Sequence, residues 1–247
     1  MTDMDEGTET DPPAAASTAN DGDAGWFTGM TDDTDPDAAA ERVRMGSATA
    51  PRDWPSIAVD EEVVDSRAAY YDRLHAVTTA ATRSAVRERE RADDQQLVHA
   101  VRAMDDCERL ANELAERVAA WAGSRFPSSS PGIAGARALA TEDPTDELDR
   151  RVVSLATQVS EIADQRDALE ATIEQTAPAV APNLAAMAGA TLAARLIALA
   201  GGLESLAKKP AGTVQVLGAE DALFAHLAGR APSPKHGVIY THEFVRG

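Results

Sequence analysis

Between Ser66 and Ala122 the chain has no proline or glycine, and apolar or small residues recur through the second half of this stretch at a helical spacing. They are Leu97, Val101, Met104, Cys107, Ala111, Leu114, Val118 and Trp121, in steps of 4, 3, 3, 4, 3, 4 and 3. Such steps draw a stripe along one helix face, with one irregular step near Met104. A second stretch repeats the pattern at Leu148, Val152, Leu155, Val159, Ile162, Arg166, Leu169 and Ile173, spaced 4, 3, 4, 3, 4, 3 and 4. That is a heptad seam interrupted by one charge, and its helix is roughly 38 Å long at ~1.5 Å per residue. Residues 123–144, which separate the two stretches, hold three prolines, three glycines and the Ser128-Ser129-Ser130 run. Two stripes joined by a breaking loop predict an antiparallel coiled-coil hairpin over 66–178, with Arg166 setting register. Pairing with a second copy is the alternative to pairing within the chain.

Composition agrees with an all-α fold. Hydrophobic residues reach 44% but aromatics only 4%, and alanine supplies much of the apolar count. That balance favours closely packed helices over a wide sheet. Cys107 is the one cysteine, which excludes an internal disulfide and leaves a small buried hydrophobe or a reactive thiol. No apolar run approaches the roughly 20 residues needed to span a bilayer, and the expected location is cytoplasmic. The net charge of −18 is unevenly placed. Residues 1–180 carry 17 basic and 37 acidic residues, whereas residues 181–247 carry 6 and 4 and include every lysine: Lys208, Lys209 and Lys235. If any part of the chain meets a polyanion, it is this last part. Few lysines among many Asp, Glu and Arg also suit a protein from a halophilic source, where salt screens simple phosphate pairing and geometry must carry more of the binding.

Residues 1–41 have no Lys or Arg and read as an acidic, disordered N-terminus. Trp26-Phe27 stands out there, either as a docking peptide for a partner or as packing on the next segment. Residues 42–65 read as a linker or reduced N-terminal element, preceded by a short helix over Asp37–Arg44 and punctuated by Pro51, Trp54 and Pro55. The Arg and Glu run Arg87–Arg91 reads as a solvated helix face. Pro178 and Pro182 are expected to end the arm, and Asn183 to cap a helix over Leu184–Ala200. Gly201-Gly202 closes that helix, and a further short one stops at Lys208-Lys209-Pro210. Residues 179–247 thus form a small, mostly helical module. Thr213–Leu217 and Val238–Tyr240 read as extended runs able to form at most a short β-hairpin, with a helix over Gly218–Leu227 between them.

No active site is legible. His75, His99, His226, His236 and His242 lack metal-ligand spacing, no Ser or Cys sits in a nucleophile elbow, and Gly218-Ala219-Glu220-Asp221 lacks the Gly-Lys-Ser/Thr ending of a phosphate loop. The expectation is a non-enzyme without cofactor or metal. A hydrolase using His236 and His242 is the remote alternative.

The C-terminal residues carry a resemblance. Ala181-Pro182-Asn183-Leu184, Ala194-Arg195-Leu196-Ile197, Ala200-Gly201-Gly202-Leu203, Leu206-Ala207-Lys208-Lys209-Pro210, Thr213 through Glu220 with Ala222-Leu223-Phe224, and Pro234-Lys235-His236-Gly237-Val238-Ile239-Tyr240 follow one another in fixed order. Together they resemble the Nop domain, found in scaffold proteins of box C/D ribonucleoproteins and in a pre-mRNA processing factor. Asp105-Asp106, Asn112-Glu113-Leu114 and Trp121 to Phe126-Pro127 resemble the family's first coiled-coil helix and turn, so the likeness covers about residues 66–247 of what looks like a haloarchaeal member.

The resemblance implies a scaffold that sits on a kink-turn of a box C/D guide RNA already held by a ribosomal-protein-like kink-turn binder. It also implies a homodimer through the coiled coil and recruitment of fibrillarin, the enzyme of ribose 2′-O-methylation. By motif position, Lys208 and Lys209 face phosphates and Thr213 and Gln215 border the RNA. The helix start at Gly218, Ala219, Glu220 and Asp221 offers backbone donors, and Lys235 and His236 press on exposed bases or backbone. Asp221 stands where the family usually has lysine. About 65 residues precede the hairpin where the family has over a hundred, so fibrillarin recruitment falls to a reduced element around Trp26, Trp54 and Tyr70-Tyr71. The family continues with basic helices past the segment matching Tyr240, so a truncated, under-packed module is expected. A coiled-coil adaptor that binds no RNA is the alternative reading.

Overall fold

The computed structural model describes residues 25–31, 34–48 and 50–247. Among them every regular element is helical, and the chain divides into two compact units within one long helix, between Arg87 and Glu88.

The first unit contains α1 (Pro36–Met45), α2 (Trp54–Asp60) and most of α3 (Arg67–Glu90). Asp35 caps α1 by accepting from the amide of Asp37, and Pro36 pre-sets its first turn. Phe27 is 1% exposed and packs with Met30, Ala39, Ala58, Val63, Val64, Tyr70 and Val77. Trp26 donates its indole N–H to the Tyr70 hydroxyl at 3.1 Å. The aromatic pair at 26–27 is therefore core, and of its two readings packing is the one realised. The disorder expected over 1–41 gives way to ordered backbone wherever residues 25–41 are described, because these rings anchor it; the part before residue 25 lies outside the described residues.

In the second unit α4 (Asp93–Ala122) and α6 (Glu147–Val180) form an antiparallel hairpin, with α5 (Gly132–Leu139) packed on both at the tip. The helix expected to run unbroken from Ser66 is interrupted at Arg91-Ala92. Residues 87–96 offer no large apolar side chain to hold it on a core, and Asp93-Asp94 favour a new N-terminus electrostatically. At 34 residues α6 is about 51 Å long. It passes through Pro178, where the sequence predicts its end, and stops two residues later.

The seam is made of smaller residues than its spacing predicts. Ala111, Ala115, Val118 and Ala122 of α4 and Val152, Ala156, Val159 and Ala163 of α6 are buried. Leu114 and Leu155 are half-buried flanks, and Trp121 and Leu148 are 38% and 51% exposed. Alanine lets two backbones approach closely and pushes large neighbours to the edges. Arg166 is half-buried and pairs with Asp167 and Glu170 on its own helix.

The head follows as α7 (Pro182–Ala188), α8 (Ala190–Ala200), α9 (Leu203–Ala207), α10 (Ala211–Gln215), α11 (Glu220–Leu227), a 3-10 turn (Val238–Thr241) and α12 (Glu243–Arg246). The single helix expected over Leu184–Ala200 bends by 118° at Gly189, whose φ of +80° glycine adopts without steric cost. Helix α8 packs on both stalk helices through Leu192, Leu196 and Ile197, which join Leu97, Val101, Met104 and Ile173 in one core. No single described helix is long and apolar enough to cross a membrane.

Candidate nucleic-acid interface

The two β-branched runs are not strands. Thr213–Gln215 belong to α10, and Val238–Thr241 are a 3-10 turn. The segments nevertheless meet through two backbone hydrogen bonds: Gly237 donates to the Gln215 carbonyl at 2.8 Å, and Val238 to that of Leu217 at 2.7 Å. The Gln215 side chain adds a third, donating to the Lys235 carbonyl at 2.8 Å. Two links are too few for a ladder, so each segment curls locally. Gly237 is required by proximity, since a Cβ there would lie 1.9 Å from the Leu217 carbonyl oxygen.

The predicted site residues are partly brought together. Gln215, Gly218, Lys235 and His236 cluster around this cross-tie, with the exposed Thr213 on α10 beside it. Lys235 is exposed and Lys209 half-buried, and neither has a carboxylate ion-pair partner among the described residues. Lys208 differs: its ammonium pairs with Glu204 one turn back at 2.5 Å. That contact holds the Glu204 carboxyl below its ordinary pKa. The His236 ring stacks on Tyr240 with centroids 6.3 Å apart. It borders a groove of about 610 Å³ between α10 and α12.

The helix start at 218–221 is less open than its sequence implies. The Gly218 amide, at φ +81°, donates to the Glu220 carboxylate at 2.9 Å, and the Ala219 amide donates to the Val216 carbonyl at 3.0 Å. Asp221 is exposed in the first turn of α11, and Phe224 and Leu227 of the same helix are 63% and 72% exposed.

Sequence reasoning missed residues beneath this surface. Asp94 and Arg195 tie the head to the stalk, Asp94 at the Leu203 amide and Arg195 at Asp105, 2.8 Å away. Gly201-Gly202 was the available signal, because Gly202 is buried where a side chain would meet Arg89, Asp94 and Gln95.

A helical stalk with an apolar seam thus carries at its base a small helical head, on which Lys235 lies on one of two cross-tied loops and Lys208-Lys209 in the turn between α9 and α10. Among the described residues no cluster of three or more His, Cys, Asp or Glu is placed to hold a metal ion. The profile described as Nop, snoRNA binding domain, fibrillarin, matches residues 92–247, and the chain belongs to that family. An uncharacterised NOP5 family protein of Methanocaldococcus jannaschii is 31% identical over 212 residues, covering 71% of this chain and 51% of that protein. Nucleolar protein 58 of Schizosaccharomyces pombe is 35% identical over 190 residues, 62% of this chain and 37% of its own length. The chain thus spans about half or less of these relatives. A chain in a crystal structure of a fibrillarin/Nop5p complex aligns over 84% of this chain and 72% of its own length, with 23% identity and a TM-score of 0.43.

Proposed function

We propose that the chain is an RNA–protein scaffold of a box C/D-type ribonucleoprotein. Its head docks on a kink-turn RNA together with the RNA's primary, ribosomal-protein-like binder. The hairpin pairs two copies of the chain. Fibrillarin, recruited by the assembly, carries out ribose 2′-O-methylation of rRNA or tRNA, so the methyl-transfer chemistry belongs to the partner. The observation that carries the reading is the cross-tie of Gln215 and Leu217 to Gly237 and Val238, which fixes Lys235 and His236 beside α10 within the family-matched region.

In this reading Lys209 and Lys235 attract phosphates, the rigid loop pair sets register, and the exposed Tyr240 ring stacked on His236 offers a flat face to an unpaired base. The first unit, with Trp26, Trp54 and Tyr70 in its core and Tyr71 56% exposed, serves as the reduced fibrillarin-recruiting element.

A gel shift tests the proposal with a synthetic kink-turn RNA, bare or preloaded with an archaeal kink-turn binder. Tight association is expected only with the preloaded RNA; tight binding to bare RNA, or none to either, contradicts it. The acidic start of α11 and the pairing of Lys208 with Glu204 favour a second reading, a coiled-coil adaptor that binds no RNA. Crosslinking and RNA sequencing that recover no kink-turn RNA would decide for that adaptor.

A further inference from the structure

Helix α9 has five residues, too few to be stable alone, and its N-cap position is Gly202, which has no side chain to offer. The missing cap comes from another helix. Asp94, in the first turn of α4, accepts the Leu203 amide on Oδ2 at 2.9 Å. Arg89 grips the same carboxylate with two hydrogen bonds, Nη1 to Oδ1 at 2.7 Å and Nη2 to Oδ2 at 3.0 Å. Gln95 donates to the Gly201 carbonyl at 3.3 Å. Gly202 is buried at φ +132°, and a Cβ there would lie 2.7–2.9 Å from Arg89, Gln95 and Asp94. Gly202 therefore lets the loop close over the polar triad of Arg89, Asp94 and Gln95. About three helical turns further along α4, and so on the same face, Asp105 holds Arg195 of α8 as a second pin.

What α9 leads into gives this cap its consequence. The helix ends at Lys208, Lys209 follows, and Pro210 opens α10 with Thr213 and Gln215. We propose that Asp94 is a positioning residue for a phosphodiester ligand: a surrogate N-cap, supplied by the stalk, that fixes the direction in which α9 presents the Lys208-Lys209 turn. The inference rests on reading the head as an RNA-binding surface. The hydrogen bonds from Arg89, with the Leu203 amide, keep the Asp94 carboxyl low, at about 2, so the cap stays charged at any working pH.

The test uses the full chain and two independent measurements. In Asp94→Ala, amide hydrogen exchange over 203–209 should accelerate while the hairpin around Val118 and Val152 keeps its protection. Affinity for the preloaded kink-turn RNA should fall about five-fold, the size expected for one lost cap. Asp94→Asn keeps an acceptor and should restore most of both; Arg89→Gln keeps the cap but loosens it and should give a smaller loss of both. Unchanged exchange over 203–209 in Asp94→Ala overturns the cap. Faster exchange with unchanged affinity overturns the positioning role, as does loss of hairpin protection in all three variants. A wild-type chain that ignores the RNA refutes the scaffold reading, and exchange then judges the cap alone.

Discussion

Arg125 and Asp149 close the tip of the hairpin, with the guanidinium Nε donating to the carboxylate Oδ1 at 2.6 Å. Asp149 is charged yet only 6% exposed, and it also accepts from the Thr145 amide at 3.2 Å and from the Thr145 hydroxyl. Asp146 caps α6 by accepting the Asp149 amide at 2.8 Å, and its other oxygen pairs with Arg125. One arginine thus joins the end of the first stalk helix to the start of the second.

This arrangement makes the tip sensitive to acid. The Thr145 hydroxyl and Arg125 hold the Asp149 carboxyl below its ordinary range, and the Asp149 amide does the same for Asp146. A folded-state pKa below the unfolded one stabilises the protein above the ordinary carboxylate pKa of about 4, and the contribution is lost as pH falls through the depressed value. Urea unfolding of wild type and Asp149→Asn should differ most near about pH 6 and converge toward about pH 2. A gap independent of pH would refute the ionic clamp.

The alanine seam should resist enlargement. Ala156 is 0% exposed and clusters with Ala115, Val118 and Val152. Ala156→Leu would force the helices apart and should cost about 1–3 kcal/mol. Leu148→Ala, at a site 51% exposed, should cost well under about 1 kcal/mol although the heptad spacing ranks it as core. Equilibrium denaturation of the two variants checks the order.

Gly237→Ala should separate function from bulk stability. The added methyl would collide with the Leu217 carbonyl and break the cross-tie, while the tip half of the hairpin packs in a separate cluster. Assembly on preloaded RNA should fall by at least about ten-fold, equivalent to ~1.4 kcal/mol, with helical circular dichroism nearly unchanged. Undiminished assembly would remove the cross-tie from the interface.

Among the lysines, position should outweigh count. Lys209→Ala with Lys235→Ala should weaken assembly by about 1–3 kcal/mol in total and flatten its salt dependence. Lys208→Ala should do less, because Glu204 already neutralises that ammonium. Binding titrations across salt concentrations measure both effects. Equal losses for Lys208 and Lys209 would show that RNA displaces Glu204.

The resemblance singled out Gln215, Gly218, Lys235 and His236, and the fold brings these four together at the cross-tie. The curvature there was not legible: Thr213–Leu217 is β-branched and suggests a strand, yet with only Gly237 and Val238 to pair with, local helical bonds prevail. Nor was the state of each charge legible, since Lys208 and Lys209 are adjacent and alike until Glu204 is seen one turn back from the first.

By itself the sequence determined two long helices with apolar stripes and a last 67 residues that hold every lysine and lose the acidic excess, because hydrophobic period and charge are local properties of the chain. Only the tertiary structure decided which face of each helix is inside. Alanine carries little hydrophobic signal, so Ala115 and Ala156 could not outrank Leu114 and Leu155 until close backbone approach selected the smaller residues. It also decided that Asp94 caps a helix 109 residues away, a hydrogen bond no spacing rule encodes because its partners meet only when the head lies on the stalk.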